Sequence, residues 1–114
     1  MTEKNIGVPH HQIRDSLGIL LGDVQYWHGH RTFAADEIAI RFHHRLVLIH
    51  PFANGNGRHA RLMADVLAQR QDRPIFSWGG AEIAQAGDFR RGYIEALHAA
   101  DKNDIGPLMV FARS

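Results

Sequence analysis

Apolar residues recur along this chain at helical spacing. From Pro9, a residue suited to a first helical turn, they fall at Ile13, Leu17, Leu20, Val24 and Trp27. Steps of four, three, four and three place them on one stripe of an amphipathic helix. A second helix is predicted over Ala35 to Ile49, with Ile38, Phe42, Leu46 and Ile49 on one face. The run Leu46 to Ile49 alone could be a buried strand, but the length of the whole segment favours helix. A third helix is predicted from Gly57, with Leu62, Met63, Val66 and Leu67 as its buried side. Pro74 to Gly80 reads as an extended loop. Phe89, Tyr93, Ile94 and Leu97 mark a fourth helix, and Ile105 to Phe111 a short fifth. Without repeats, low-complexity tracts or linkers, 114 residues make one all-α domain, large enough for a single core.

The second and third helices meet at His50-Pro51-Phe52-Ala53-Asn54-Gly55-Asn56-Gly57-Arg58-His59-Ala60-Arg61. Arg58 and Arg61 fall where a helix is starting and share one of its faces. The positive end of the helix dipole lies there, so each cation is disfavoured by roughly 0.3–1 kcal/mol. That placement makes sense if an anion is bound. Backbone N–H groups freed by the glycines, a helix N-terminus and two arginines together describe a polyphosphate cradle. His50, beside it, titrates near neutral pH without tuning and is a natural general base. The arrangement reads as an enzyme that handles a nucleotide. Turn chemistry supplies a plainer account of the same residues. Asn-Gly twice over is an ordinary turn signal, Pro51 ends a helix, and His50 is well placed at a helix C-terminus.

The order of these residues closely resembles the signature of Fic-domain proteins, H-P-F-x-[D/E]-G-N-G-R-x-x-R, with eight of nine specified positions agreeing. Phe42 to Ile49, Leu62 to Asp65 and Arg73 to Trp78 also look like Fic sequence. The whole run is most similar to the subgroup called mobile mystery protein B. The resemblance implies a Fic-type helical bundle with the motif loop between two central helices. It implies transfer of AMP from ATP to a hydroxyl side chain of a target protein, releasing pyrophosphate. It assigns His50 as general base, Gly55, Asn56 and Gly57 as the anion hole, and Arg58 and Arg61 as holders of the outer phosphates. Pro51 and Phe52 become structural motif residues, Phe52 anchoring the loop in the core. Position 54 is where the family carries a carboxylate that binds Mg²⁺ (or Mn²⁺).

Asn54 departs from that pattern. Mg²⁺ prefers charged oxygen ligands, and an amide oxygen coordinates without bringing charge. Asn54 is therefore a weak metal candidate, and three outcomes stay open: weakened AMP transfer, transfer of another phosphate-containing group, or nucleotide binding without catalysis. Two further departures concern regulation. Lys4 to Val8 resembles only the end of the family's flap, a β-hairpin that aligns the target by strand addition. The chain is thus expected to lack the N-terminal helices usual in the family and to keep at most a remnant of that hairpin. The family's inhibitory pattern [S/T]-x-x-x-E-[G/N] does not occur in these residues. Either the chain is not self-inhibited, its inhibitor is a separate protein, or the relevant segment is absent. The expected partner is a protein substrate, with a second copy of the chain as an open alternative.

Charge and composition narrow the remaining classes. A net charge of +1 creates no strong field, so neither a nucleic-acid nor a membrane partner is expected. Zero cysteines exclude disulfides and thiolate metal sites. No apolar stretch approaches ~20 residues and no signal peptide precedes the domain, so a cytoplasmic protein is expected. Nine histidines invite a metal site, but His10-His11 and His43-His44 point about 100° apart on a helix and are expected at the surface or core edge. Trp27 and Trp78 are expected in the core and as a loop anchor, with Trp78 a candidate edge of the nucleotide pocket. Asp65 is expected to be a solvated or salt-bridged surface residue.

Overall fold

A computed structural model describes residues 8–80 and 86–114, without the side chains of Ala86, Asp88 and Phe89. Lys4 to Gly7, the candidate flap remnant, and the Phe89 side chain therefore lie outside the described residues. A short 3-10 turn, His10–Gln12, follows Pro9 and feeds α1 (Ile13–Gly29). Then come α2 (Ala35–Ile49), α3 (Asn56–Arg70), α4 (Ala86–Asp101) and α5 (Gly106–Arg113). There is no strand among the described residues, and the fold is the expected all-α one.

The centre of the bundle is α2. Asp36 and Glu37 in its first turn suit the positive end of its dipole. Its face Ile38, Phe42, Leu46 and Ile49 packs with Leu20 and Val24 of α1 and with Ala60 of α3. Its other face, Ala39 and Ile40, packs with Ala64 and Ala68 of α3, Tyr93, Ala96 and Ala100 of α4, and Leu108 and Ala112 of α5. A helix buried on two sides is held in place by both, and α2 carries His50 at its end.

The buried side of α3 differs from the expected one. Asn56, Ala60, Ala64 and Ala68 face inward, whereas Leu62 is 60% exposed and Met63, Val66 and Leu67 are only half-buried. Small residues four apart let the α3 backbone approach α2 closely, and this places the N-terminus of α3 firmly against the end of α2.

The segment after α3 is extended, as expected, and is fixed by polar contacts. Asp65 accepts hydrogen bonds from the Phe76 N–H at 3.0 Å and the Trp78 indole at 3.2 Å. The backbone N–H groups of Ser77 and Trp78 donate to the Ala112 carbonyl at the end of α5. Asp65 is thus an anchor for this segment, not a solvated surface carboxylate. Asp36 makes a second tie. Arg113 donates to it at 2.7 and 2.9 Å and Arg73 at 3.2 Å, joining α2, α5 and the extended segment. The Arg113 guanidinium, then desolvation in the opposite sense, then Arg73 act on the Asp36 carboxyl, and the net effect holds it at about 2.

Candidate active site

The motif loop begins where α2 stops. His50 adopts φ 58° and ψ 58°, left-handed backbone, while its N–H still bonds the Leu46 carbonyl at 3.1 Å. A glycine would take this conformation at no cost, whereas a side chain with a Cβ is strained there by roughly 1–2 kcal/mol. Arg31, Asp72 and Asn103 take the same conformation just beyond other helices, so at His50 it serves first to end α2. It turns the chain sharply out of α2 and leaves the half-buried imidazole at the helix end.

Asn56 holds the loop that follows. It is only 6% exposed, accepts a hydrogen bond from the Phe52 N–H at 2.9 Å and donates Nδ2 to the Phe52 carbonyl at 2.8 Å. One amide side chain thereby satisfies both backbone groups of one residue, in the way a paired strand would. Phe52 does not anchor the loop through its ring. The ring is 48% exposed and rests edge-on against His59, with centroids 4.8 Å apart. The anchoring expected of Phe52 is done by Asn56 on the Phe52 backbone, because the short loop between α2 and α3 leaves the ring outside the core. Asn54 sits exposed on the loop.

Gly55, at φ 76°, is the N-cap of α3 and offers no side chain to it. The N–H groups of the first turn, which have no intrahelical acceptor, therefore face outward without a side-chain cap. Gly57 lies in that turn and cannot be larger without displacement. A Cβ there would stand 3.3 Å from Arg61 Nη1 and 3.3 Å from the Tyr93 hydroxyl. Arg58 is exposed, whereas Arg61 is half-buried with its guanidinium carbon 5.0 Å from the centre of the Tyr93 ring.

Behind Arg61 lies a polar arrangement that hydrophobic patterning does not reveal. His43, expected near the surface, is completely buried. Its Nε2 is 2.9 Å from the Tyr93 hydroxyl, and its ring lies 4.9 Å from that of Trp78. Burial pushes the imidazole down to about 4, against an upward pull from the Ala60 carbonyl and with smaller downward contributions from Arg61 and His44. Burial likewise raises Tyr93, while Arg61 draws it down. Trp78 is buried, as expected of a loop anchor, with its ring tilted 43° against that of His43. His44, the other member of the pair, bonds Asp101 at 2.8 Å. The signal that could have found His43 is its place one turn after Ala39 and one turn before Val47 on the second helix, within a segment apolar on more than one side.

A cleft of about 330 Å³ between α1, α2 and the α4–α5 end is lined by Trp27, Arg41, His44, Arg45 and Leu48, with no motif residue in its walls. Arg41 pairs with Glu37 and Arg45 with Asp23. The uncapped helix start, the glycines and the arginines lie instead on the open face beside His50.

The described geometry is a strained histidine at one helix end, an amide-clamped turn and an open helix N-terminus carrying two arginines. Residues 6–68, which span α1 to α3 and the turn between, match the sequence model of the Fic/DOC family. The chain is 34% identical over 92 residues to "Protein adenylyltransferase fic-1" of Caenorhabditis briggsae, covering 78% of this chain and 17% of that protein. It is 31% identical over 98 residues to "Protein adenylyltransferase Fic" of Aedes aegypti, covering 83% and 18%. With the protein of the same description from Nematostella vectensis it shares 39% over 75 residues, covering 66% and 16%. The chain thus spans less than a fifth of the length of these relatives. No solved structure matches it. The family match runs through the whole helix–turn–helix that carries His50, Asn56, Arg58 and Arg61, and by it this chain belongs to the Fic/DOC family.

Proposed function

We propose that the chain is a Fic-type protein adenylyltransferase, moving AMP from ATP to a hydroxyl side chain of a protein. The observation that carries this reading is the uncapped start of α3, opened by Gly55 and flanked by Arg58 and Arg61, one short loop from His50. The names of the relatives point to the same reaction.

His50 takes the proton of the attacking hydroxyl, and that oxygen forms a bond to the α-phosphorus of ATP. The bond from that phosphorus to the bridging oxygen breaks, and pyrophosphate leaves with the electron pair. The segment Gly55, Asn56 and Gly57 turns its backbone N–H groups to the phosphate oxygens as an anion hole, which is most effective where water is excluded. Arg58 and Arg61 neutralise the outer phosphates and hold the leaving group. The described residues offer a divalent ion little of their own, so an ion there would be held largely by the phosphates of the nucleotide. Asn54 offers one neutral amide oxygen, and no group of three or more His, Asp or Glu side chains converges among the described residues.

Asn54 favours a second reading, a catalytically weakened module that binds nucleotide or moves a different phosphate-containing group. Incubation with α-phosphate-labelled ATP, Mg²⁺ or Mn²⁺ and a cell lysate separates the two. Label on a protein that disappears with His50→Ala supports AMP transfer. Absence of label alongside measurable ATP binding overturns it in favour of the second reading.

A further inference from the structure

Arg61, Tyr93 and His43 come from three different helices and meet directly behind the first turn of α3. Guanidinium groups only donate hydrogen bonds. The Arg61 guanidinium lies over the Tyr93 ring, 5.0 Å from its centroid, and its Nη1 and the Tyr93 hydroxyl both stand 3.3 Å from the point a Cβ on Gly57 would occupy, so the oxygen is the acceptor that faces it. The Tyr93 hydroxyl lies 2.9 Å from His43 Nε2, and it donates to that nitrogen in the tautomer of the neutral ring that carries its proton on Nδ1. The remaining imidazole proton sits on Nδ1, on the side of the Ala60 carbonyl, although Nδ1 lacks a partner of full hydrogen-bond geometry. The chain of donors therefore runs one way, from α3 through α4 to α2. Burial, which keeps the His43 imidazole uncharged, preserves that direction across the physiological range.

We propose that Tyr93, oriented by His43, is a positioning residue that holds Arg61 in the conformation that meets the outer phosphates of the nucleotide. The inference rests on the reading of Arg61 as a phosphate-binding residue. Three observations meet in it. The guanidinium lies over the Tyr93 ring, the hydroxyl is fixed from behind by a fully buried acceptor, and Gly57 leaves room for both groups at 3.3 Å. An arginine that must be immobilised on binding loses side-chain freedom at that moment, and a preset one does not.

The test compares ATP and AMP binding to the whole chain in wild type, Tyr93→Phe, Arg61→Ala and the double variant, with circular dichroism to check folding. Tyr93→Phe keeps the ring and its stacking but removes the relay. ATP affinity should fall about tenfold, the scale of one hydrogen bond to a charged group, while AMP affinity holds. In the Arg61→Ala background the tyrosine change should have no further effect. His43→Gln retains an acceptor for the Tyr93 hydroxyl and should keep ATP affinity, whereas His43→Leu should lose it. Equal loss of ATP and AMP binding, or a tyrosine effect that persists without Arg61, overturns the proposal. ATP binding with the expected pattern but no AMP transfer overturns the transferase reading alone. A wild-type chain that binds no ATP overturns both.

Discussion

Replacing Asn56 with alanine tests whether the motif turn is built before the nucleotide arrives. The side chain makes two hydrogen bonds to Phe52, at 2.9 and 2.8 Å, and is 6% exposed. Each such bond contributes about 1 kcal/mol net, so their joint loss costs about 2 kcal/mol. Phe52 is half exposed, so water can reach its freed backbone groups and the higher figure for fully orphaned groups does not apply. If that energy falls on the turn alone, the ordered form becomes about thirtyfold less populated and ATP affinity falls by up to that factor. If it falls on the whole domain, the midpoint drops by about 8–16 °C. Thermal melting and ATP titration on the same preparation distinguish the two. Asn56→Asp sharpens the test. It keeps the acceptor for the Phe52 N–H but sets a carboxylate against the Phe52 carbonyl and beside the proposed anion. Its helix-dipole gain is only about 0.3–1 kcal/mol, so ATP should bind more weakly than to Asn56→Ala. An alanine variant with an unchanged midpoint and ATP affinity within about twofold of wild type would refute the clamp.

Asp36, held near 2 from a reference of 3.8, couples stability to acid. Because its folded value is depressed, the contribution is complete above the unfolded value near 3.8 and vanishes as pH falls through about 2. Its side chain is 20% exposed while Arg73 is 48% exposed. With solvent screening of the outer pair the contribution is about 1–2 kcal/mol. Urea midpoints should fall between about pH 4 and 2 in wild type more steeply than in Asp36→Asn, and parallel slopes would disprove the coupling. Asn54→Asp should strengthen ATP binding several-fold in the presence of Mg²⁺, because the exposed loop position gains a charged oxygen. A gain that survives chelation of the metal would count against that reason.

Large apolar residues and turn chemistry made most of the skeleton legible. The second helix has its expected ends, Ala35 and Ile49, since an acidic first turn opens it and His50-Pro51 closes it. Its stripe of Ile38, Phe42, Leu46 and Ile49 is buried. On α3 the same reasoning selected the wrong face. Leu62 and its apolar neighbours outweigh alanine in any hydrophobic pattern, yet the helix lies against α2 through Ala60, Ala64 and Ala68. What decides the face is how closely a partner helix can approach, and no single segment carries that information. The ladder of small residues four apart is nonetheless written in the sequence. Asp65 and His43 were opaque for a related reason. A polar side chain can be buried only where a partner is supplied, and their partners, Trp78 and Tyr93, lie 13 and 50 residues away.

Those distant partners also explain why α4 matters to a site whose signature lies between α2 and α3. The motif residues fix the turn among themselves, through Asn56 on Phe52 and through Gly55 and Gly57 at the helix start. They do not fix Arg61, whose long side chain has more than one way to leave α3. The proposal above assigns that constraint to Tyr93 and His43, from outside the motif. His43 lies on α2 seven residues before His50, so the helix whose end places the proposed base also carries the partner of the Tyr93 hydroxyl. A shift of α2 along its axis would displace both together. The two core clusters on its opposite faces oppose such a shift, and the catalytic geometry therefore depends on packing that contains no catalytic residue.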